Sequence, residues 1–196
     1  MNVFTLPFRR YRIAAQTFAA AGLLTLATLE GVQAEDARAA EWFEPGSSWK
    51  FNNGMEFKGA TGGFVLADED GKHTGKLTFD FTAGGGYVLA ARSLSGEEFT
   101  EIRFKAKANT KTKIMIRVID SGKECYQIKT NYTKPGEWET FLIDLKKPQE
   151  KFGGDANQTF DAPALFINFG ATKKGASELG GELKGEIFFA DVELIK

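Results

Sequence analysis

The residue types that most often carry out catalysis are scarce in this chain. It has one histidine, His73, and one cysteine, Cys125, which excludes most zinc sites and most histidine-activated nucleophiles. Cys125 lies in the alternating run ECYQIKT, which predicts burial as a small apolar side chain rather than a reactive thiol. A lone cysteine also forms no intramolecular disulfide.

Paired carboxylates would permit glycoside hydrolysis, which needs two such groups a fixed distance apart. Asp191 and Glu193 alternate near the end of the sequence, but no triplet of alternating acidic residues occurs. His73 lies in a predicted turn, which disfavours the Tyr–His grouping of a polysaccharide lyase. We therefore expect no catalysis, and a glycoside hydrolase or polysaccharide lyase is the less favoured alternative.

The first 34 residues have the pattern of an export signal. Three arginines, Arg9, Arg10 and Arg12, precede an uncharged apolar stretch over 13–29, and Val32-Gln33-Ala34 offers a cleavage site. This pattern predicts a signal peptide over 1–34, a short polar spacer over 35–42 and a secreted or periplasmic protein. An uncleaved anchor helix is the alternative to the cleaved signal. The expected export route is the general secretory route, and twin-arginine export is the alternative. After cleavage we expect no stable membrane insertion.

The remaining sequence, 43–196, alternates apolar and polar residues with a period of two. Leu77, Phe79 and Phe81 fall on one face of their run, and the same holds for Ile102, Phe104 and Ala106 and for Ile114, Ile116 and Val118. This is the pattern of strands with one face buried and one face in water. It predicts an all-β, antiparallel jelly-roll β-sandwich of about ten strands, with a structureless segment over 146–161. A net charge of −1 gives no sign of a nucleic-acid partner.

Several short motifs follow one another in the order seen in a known group of domains. They are Phe43-Glu44-Pro45-Gly46 before Trp49, His73-Thr74-Gly75-Lys76-Leu77, Gly84-Gly85-Gly86-Tyr87-Val88, Phe152-Gly153-Gly154-Asp155-Ala156-Asn157 and Ala190-Asp191-Val192-Glu193-Leu194. Together they resemble the jelly-roll carbohydrate-binding modules and galactose-binding-like domains attached to secreted bacterial glycoside hydrolases. The resemblance covers about residues 43–196.

The resemblance implies a sugar site built from aromatic faces and planar polar side chains. The candidates are Tyr87, Tyr126 and Tyr132. We expect Tyr126 to line a concave face with Arg117 or Lys129. For each tyrosine the simpler alternative is packing in the core.

The resemblance also implies a structural calcium ion, with Glu44 and Asp191 as ligands. Asp191 lies on an otherwise apolar face of the last predicted strand, where a carboxylate needs a partner or a metal. A salt bridge or a backbone hydrogen bond is the alternative.

We therefore predict a secreted, non-catalytic domain that binds a poly- or oligosaccharide, with a glycoside hydrolase or an envelope protein as a possible partner. The alternative is a structural or protein-interaction sandwich of the cell envelope that binds no sugar. The two differ in their exposed aromatic residues, because a sugar-binding domain should present two or more of them in one plane or groove.

Overall fold

The computed structural model describes residues 42–196 of the 196-residue chain. The predicted signal peptide and the spacer up to residue 41 lie outside the described residues. The described part forms eleven strands and one short helix, α1 (Lys173–Glu178). The strands are β1 (Trp49–Asn52), β2 (Thr61–Glu69), β3 (Lys72–Asp80), β4 (Tyr87–Ser93), β5 (Glu101–Ala108), β6 (Thr112–Ile119), β7 (Glu124–Tyr132), β8 (Glu139–Asp144), β9 (Glu150–Gly153), β10 (Phe166–Thr172) and β11 (Lys184–Ile195).

The strands form two antiparallel sheets. Sheet A has the order β1-β4-β10-β6-β7-β9, and sheet B has the order β2-β3-β11-β5-β8. The last two strands of the chain occupy inner positions, because β10 joins β4 to β6 in sheet A and β11 joins β3 to β5 in sheet B.

The hydrophobic core lies between the two sheets. The three alternating runs found in the sequence turn their apolar side chains inward, and all nine of these side chains are buried. The runs lie on β3, with Phe81 just beyond its end, on β5 and on β6. The rings of Phe104, Phe169 and Phe189 join the sheets, with centroids 5.2 Å apart for Phe104 and Phe169 and 4.9 Å for Phe169 and Phe189. Such ring pairs add to the stabilisation that burial provides. The predicted jelly-roll β-sandwich is confirmed.

Two short elements were not predicted. The segment 146–161 contains strand β9, which pairs with β7 through only four residues, Glu150 to Gly153. Helix α1 is one and a half turns long, too short for a helical period to be visible. Its first turn is capped by Thr172, whose hydroxyl oxygen accepts a hydrogen bond from the Gly175 amide.

Trp42 belongs to the domain and not to the spacer in which we placed it. Its ring is buried, and the Arg92 guanidinium lies 4.6 Å from the ring centroid. Its carbonyl oxygen accepts hydrogen bonds from the Trp49 indole (2.9 Å) and from Arg92 (3.0 Å). The packed domain therefore includes residue 42.

Strand β11 contains an irregularity that changes which side chains face the core. Its pairing with β5 shifts between Ala190 and Glu193, and Asp191 has a positive φ of 50°. This local bulge places both Phe189 and Val192 in the core and turns Asp191 away from it. The prediction that Asp191 shares the face of Phe189 is therefore wrong, because strict alternation stops at the bulge.

Candidate functional site

A groove of about 630 Å³ crosses the face of sheet A that points away from the core. The strand register brings Arg117 on β6, Gln127 on β7 and Glu150 on β9 side by side in one row across the sheet. The segment between β1 and β2, strand β9 and helix α1 surround this row. The volume lies in the range of small-ligand sites.

Arg117 lies at the centre of the groove. Its guanidinium carbon is 4.5 Å from the centroid of the Tyr87 ring and 5.5 Å from that of Phe152. Its Nε–H donates to Gln127 Oε1 at 2.6 Å. Stacking on aromatic faces and a fixed hydrogen bond together hold the guanidinium plane in one orientation.

The hydrogen bonds continue from Gln127 to the edge of the sheet. Gln127 Nε2 donates to Glu150 Oε2 at 2.6 Å, and Lys129 Nζ donates to Glu150 Oε1 at 2.7 Å. Because successive members sit on neighbouring strands, the sheet itself sets their spacing. The result is a continuous hydrogen-bonded polar strip across the sheet.

Tyr87 forms the opposite side of the groove. Its hydroxyl donates a hydrogen bond to Glu56, and its ring meets Phe57 edge-on at 6.1 Å between centroids. Burial, together with the hydrogen bond to Glu56, raises the pKa of Tyr87, whereas the same hydrogen bond lowers the pKa of Glu56. Gly54 has a φ of +61°, and a Cβ there would lie 3.0 Å from the Tyr87 carbonyl oxygen, so the chain turns closely over Tyr87.

Two exposed aromatic rings line the groove, and neither was predicted. The Phe57 side chain is 55% exposed and that of Phe152 is 45% exposed, which is unusual for phenylalanine in a folded domain. Phe57 lies in the segment between β1 and β2, and Phe152 lies on β9. We interpreted Phe57 as part of a region of short strands and tight turns, and Phe152, which precedes Gly153, as part of the structureless segment 146–161.

Of the predicted sugar contacts, the structure brings three together and separates two. Tyr87, Arg117 and Lys129 all line the groove, although little of the Tyr87 ring is exposed. Tyr126 is on the opposite face of β7 from Gln127 and Lys129, and it is only 1% exposed. The prediction that Tyr126 shares a face with Arg117 or Lys129 is therefore wrong, because even and odd positions of β7 point to opposite sides.

Tyr132 is a core residue. Its side chain is fully buried, and its hydroxyl lies within hydrogen-bond distance of three main-chain carbonyl oxygens, those of Ala108 (3.1 Å), Lys134 (2.5 Å) and Glu137 (2.8 Å). These contacts fasten the turn after β7 to the end of β5. Tyr132 therefore acts on stability, and its prediction as a sugar contact is wrong.

The predicted calcium ligands already have partners of another kind. Asp191 Oδ2 accepts hydrogen bonds from Lys105 at 2.8 Å and Lys72 at 3.0 Å, and Glu44 Oε1 is 3.7 Å from His73 Nε2. Ca²⁺ takes six to eight oxygen ligands, and two ammonium groups at one carboxylate do not fit that coordination. Within residues 42–196 no three His, Cys, Asp or Glu side chains form a metal-binding group. Calcium binding stays a prediction that these contacts do not favour.

Cys125 lies on the groove face of β7, beside Phe152 of β9 in the strand register. It is a free, buried cysteine, and burial raises the pKa of its thiol to about 11. The thiol is therefore protonated at neutral pH and unreactive.

Comparisons with known proteins place the fold. No protein-family model matches the sequence, and no curated protein matches it significantly. Among solved structures, the family 11 carbohydrate-binding module of the cellulase Lic26A-Cel5E of Clostridium thermocellum superposes with a TM-score of 0.55 at 18% identity, covering 78% of this chain and 90% of the module. This chain has the jelly-roll fold of that module.

Two further solved structures superpose on most of the residues of this chain. The solution structure of CtCBM11 has a TM-score of 0.54 at 16% identity, covering 78% of this chain and 91% of that one. An agarase, AgWH50C, has a TM-score of 0.47 at 11% identity, covering 79% of this chain but only 23% of the enzyme. In the part of the chain that the structure describes, no helix combines the length and apolar character that crossing a membrane requires.

Proposed function

We propose that this protein is a non-catalytic carbohydrate-binding domain and that the groove on sheet A holds a poly- or oligosaccharide. The observation that carries the proposal is the pair of exposed rings, Phe57 and Phe152, with the strip of Arg117, Gln127 and Glu150 in the same groove. Sugar rings stack their apolar faces on aromatic side chains, while planar amide, guanidinium and carboxylate groups bond the hydroxyls. The fold shared with a carbohydrate-binding module is consistent with this function.

The state of the groove carboxylates supports a binding role rather than catalysis. A glycosidase needs a carboxylic acid that stays protonated, which requires a raised pKa. The hydrogen bond from Tyr87 lowers the pKa of Glu56, and the hydrogen bond from Lys113 lowers that of Glu178. Both groups are therefore ionised at neutral pH and suited to accepting hydrogen bonds from sugar hydroxyls.

We also propose that the domain works outside the cytoplasm, on the basis of the signal-like pattern of residues 1–34. A partner glycoside hydrolase would be brought to its substrate by such a domain. Mass spectrometry of the protein recovered from the culture medium or periplasm tests the export. A new N-terminus at Glu35 is the expected result, and an intact N-terminus would contradict cleavage.

Affinity electrophoresis against a panel of soluble polysaccharides tests the binding function. We expect retardation by at least one glycan, and we expect Phe57→Ala and Phe152→Ala each to weaken it about tenfold, the effect of losing a well-packed aromatic contact. Leu142→Ala is the matched control, since Leu142 is equally exposed at 56% but lies on β8 in sheet B.

Two results would contradict the proposed function. One is a folded protein that no glycan in the panel retards, which would favour the protein-interaction alternative. The other is retardation that Leu142→Ala abolishes and the two phenylalanine variants leave unchanged, which would move the site to sheet B.

A further inference from the structure

The charged side chains of the groove are arranged by position. Three basic residues, Lys113, Arg117 and Lys129, stand on β6 and β7 and form the floor. Lys113 and Arg117 are four residues apart on one strand, about 13 Å at the usual rise, and Lys129 is paired with Met115 midway between them. The floor of the groove is therefore a short line of positive charge.

The acidic side chains occupy the rim. Glu56 lies in the segment between β1 and β2, Glu150 lies on the edge strand β9, and Glu178 lies on α1, which also carries the basic residue Lys174. Lys129 is paired with Glu150 at 2.7 Å and Lys113 with Glu178 at 2.6 Å. These carboxylates are about half exposed, so water weakens both pairs.

Arg117 is the exception among the basic residues of the floor. Within residues 42–196 it forms no salt bridge, and the neutral amide oxygen of Gln127 takes one of its five N–H donors. Its charge contributes to the lowered pKa of Glu56, but the two groups are not an ion pair. The partly buried guanidinium, beside the rings of Tyr87 and Phe152, therefore lies in the middle of the groove without a carboxylate partner.

We propose that the groove selects an anionic glycan, one that bears carboxylate or sulfate groups, and that Arg117 binds the anionic group. This inference rests on the proposed sugar-binding function and narrows it to one substrate class. A guanidinium beside the rings of Tyr87 and Phe152 has N–H groups in the fork that matches a carboxylate or sulfate. Lys113 and Lys129 attract neighbouring anionic groups of the same chain, while the rim carboxylates bond hydroxyls.

The test compares glycans that differ only in charge. Binding of the purified protein to polygalacturonate is measured by calorimetry beside its fully methyl-esterified form, a sulfated galactan and a neutral β-glucan. We expect the acid form to bind at least tenfold more tightly than the ester, and raising the salt from about 50 mM to about 500 mM to weaken it. Tighter binding of the sulfated galactan than of polygalacturonate would assign the anionic group as sulfate.

Variants of Arg117 locate the effect. Arg117→Gln removes the charge, and we expect it to reduce affinity for the acid glycan at least tenfold while the melting temperature stays close to that of the unchanged protein. Arg117→Lys keeps the charge but not the planar fork, and it should recover only part of the loss. Arg103→Gln is the control, since Arg103 lies on sheet B and pairs there with Glu193.

The outcomes separate the two proposals. Equal binding of the acid and ester forms, or full affinity in Arg117→Gln, overturns the anionic-glycan inference. Retention of the neutral β-glucan alone overturns it too, yet leaves the proposed sugar-binding function standing. Failure of every glycan, in a protein whose melting curve shows that it is folded, overturns both.

Discussion

At the scale of single residues, the five predicted sugar contacts divide by the face of the sheet on which they lie. Tyr87, Arg117 and Lys129 line the groove, but the sequence argument had grouped Arg117 and Lys129 with Tyr126, which lies on the other face of β7. The sequence could not identify Phe57 or Phe152, whose neighbours show no alternation. Exposure of an aromatic ring in a turn or on a short edge strand depends on which distant strands pack against it, and no local pattern contains that information.

Removing the Tyr87 hydroxyl should change the titration of Glu56. The hydrogen bond from this hydroxyl is the largest cause of the lowered pKa of Glu56. We therefore expect the pKa of Glu56 to rise towards its ordinary range in Tyr87→Phe, as followed by carboxyl-carbon NMR over an acid titration. Glu178 is the internal control, because its pKa is lowered by Lys113 and should not move. An unchanged Glu56 would contradict the hydrogen bond.

Removing the Tyr132 hydroxyl should destabilise the domain without affecting glycan binding. Three main-chain carbonyl oxygens surround that hydroxyl in a buried site. Tyr132→Phe removes this shared donor, and only the carbonyl oxygens of Ala108 and Lys134 keep a backbone N–H donor, from Gly136 and Glu137. We expect a loss of about 1–2 kcal/mol in the free energy of unfolding, measured by urea denaturation with an unchanged slope. A weaker affinity for glycan at equal stability would return Tyr132 to the binding site.

At the scale of elements, strands with clean alternation were predictable and the irregular ones were not. The runs on β3, β5 and β6 are visible in the sequence because each has one dry face and one wet face. Strand β9 has four residues and an exposed edge, so burial imposes no pattern on it. The bulge in β11 was missed because one extra residue resets the alternation, and only the pairing with β5 shows where this happens.

The bulge leads to a prediction about pH. Burial opposes ionisation of Asp191, but the hydrogen bonds from Lys105 and Lys72 outweigh it, so the pKa of the carboxyl is lowered. A lowered folded-state pKa gives stability that is present above the unfolded value and lost as the pH falls through the folded one. Asn also tolerates the positive φ at this position, so Asp191→Asn removes the charge and keeps the backbone.

We expect Asp191→Asn to lower the free energy of unfolding by about 0.5 kcal/mol at about pH 7, a small value because the carboxylate is 35% exposed. The difference from the unchanged protein should shrink below the ordinary pKa of aspartate. Urea denaturation of both proteins at about pH 7 and at a pH below the ordinary pKa of aspartate measures this difference in the free energy of unfolding. A chelator should leave the melting temperature unchanged, whereas a fall on chelation in the unchanged protein alone would restore the predicted calcium ion.

At the scale of the whole molecule, the packed domain includes the residues that lead into β1. Trp42 fills the space beside Trp49, and its carbonyl oxygen accepts hydrogen bonds from Trp49 and Arg92. The sequence placed Trp42 in the spacer because the residues around it are polar and no strand pattern had begun. Trp42 is buried because it packs against Trp49 of β1 and Arg92 of β4, although it belongs to neither strand.

Trp42→Ala should therefore destabilise the whole domain. We expect a loss of about 3 kcal/mol in the free energy of unfolding, the usual cost of deleting a buried aromatic side chain. Thermal unfolding of Trp42→Ala beside a control variant of the exposed Ser48, Ser48→Ala, measures this effect. Equal melting temperatures for the two variants would show that the folded domain starts after residue 42.

The inner positions of β10 and β11 have a consequence for how the molecule is made. Until residues 166–195 have been synthesised, neither sheet can be completed, because β10 and β11 join their halves. Only four separate groups of paired strands can form before then: β1–β4, β2–β3, β5–β8 and β6–β7–β9. Strand β11 pairs with β3 through residues that are far apart in sequence, such as Asp80 and Lys184. Such pairings form slowly, because a long loop of chain must be ordered first. Both sheets of this domain are therefore completed only after residues 166–195 have been synthesised, and we expect the domain to fold late in its own synthesis.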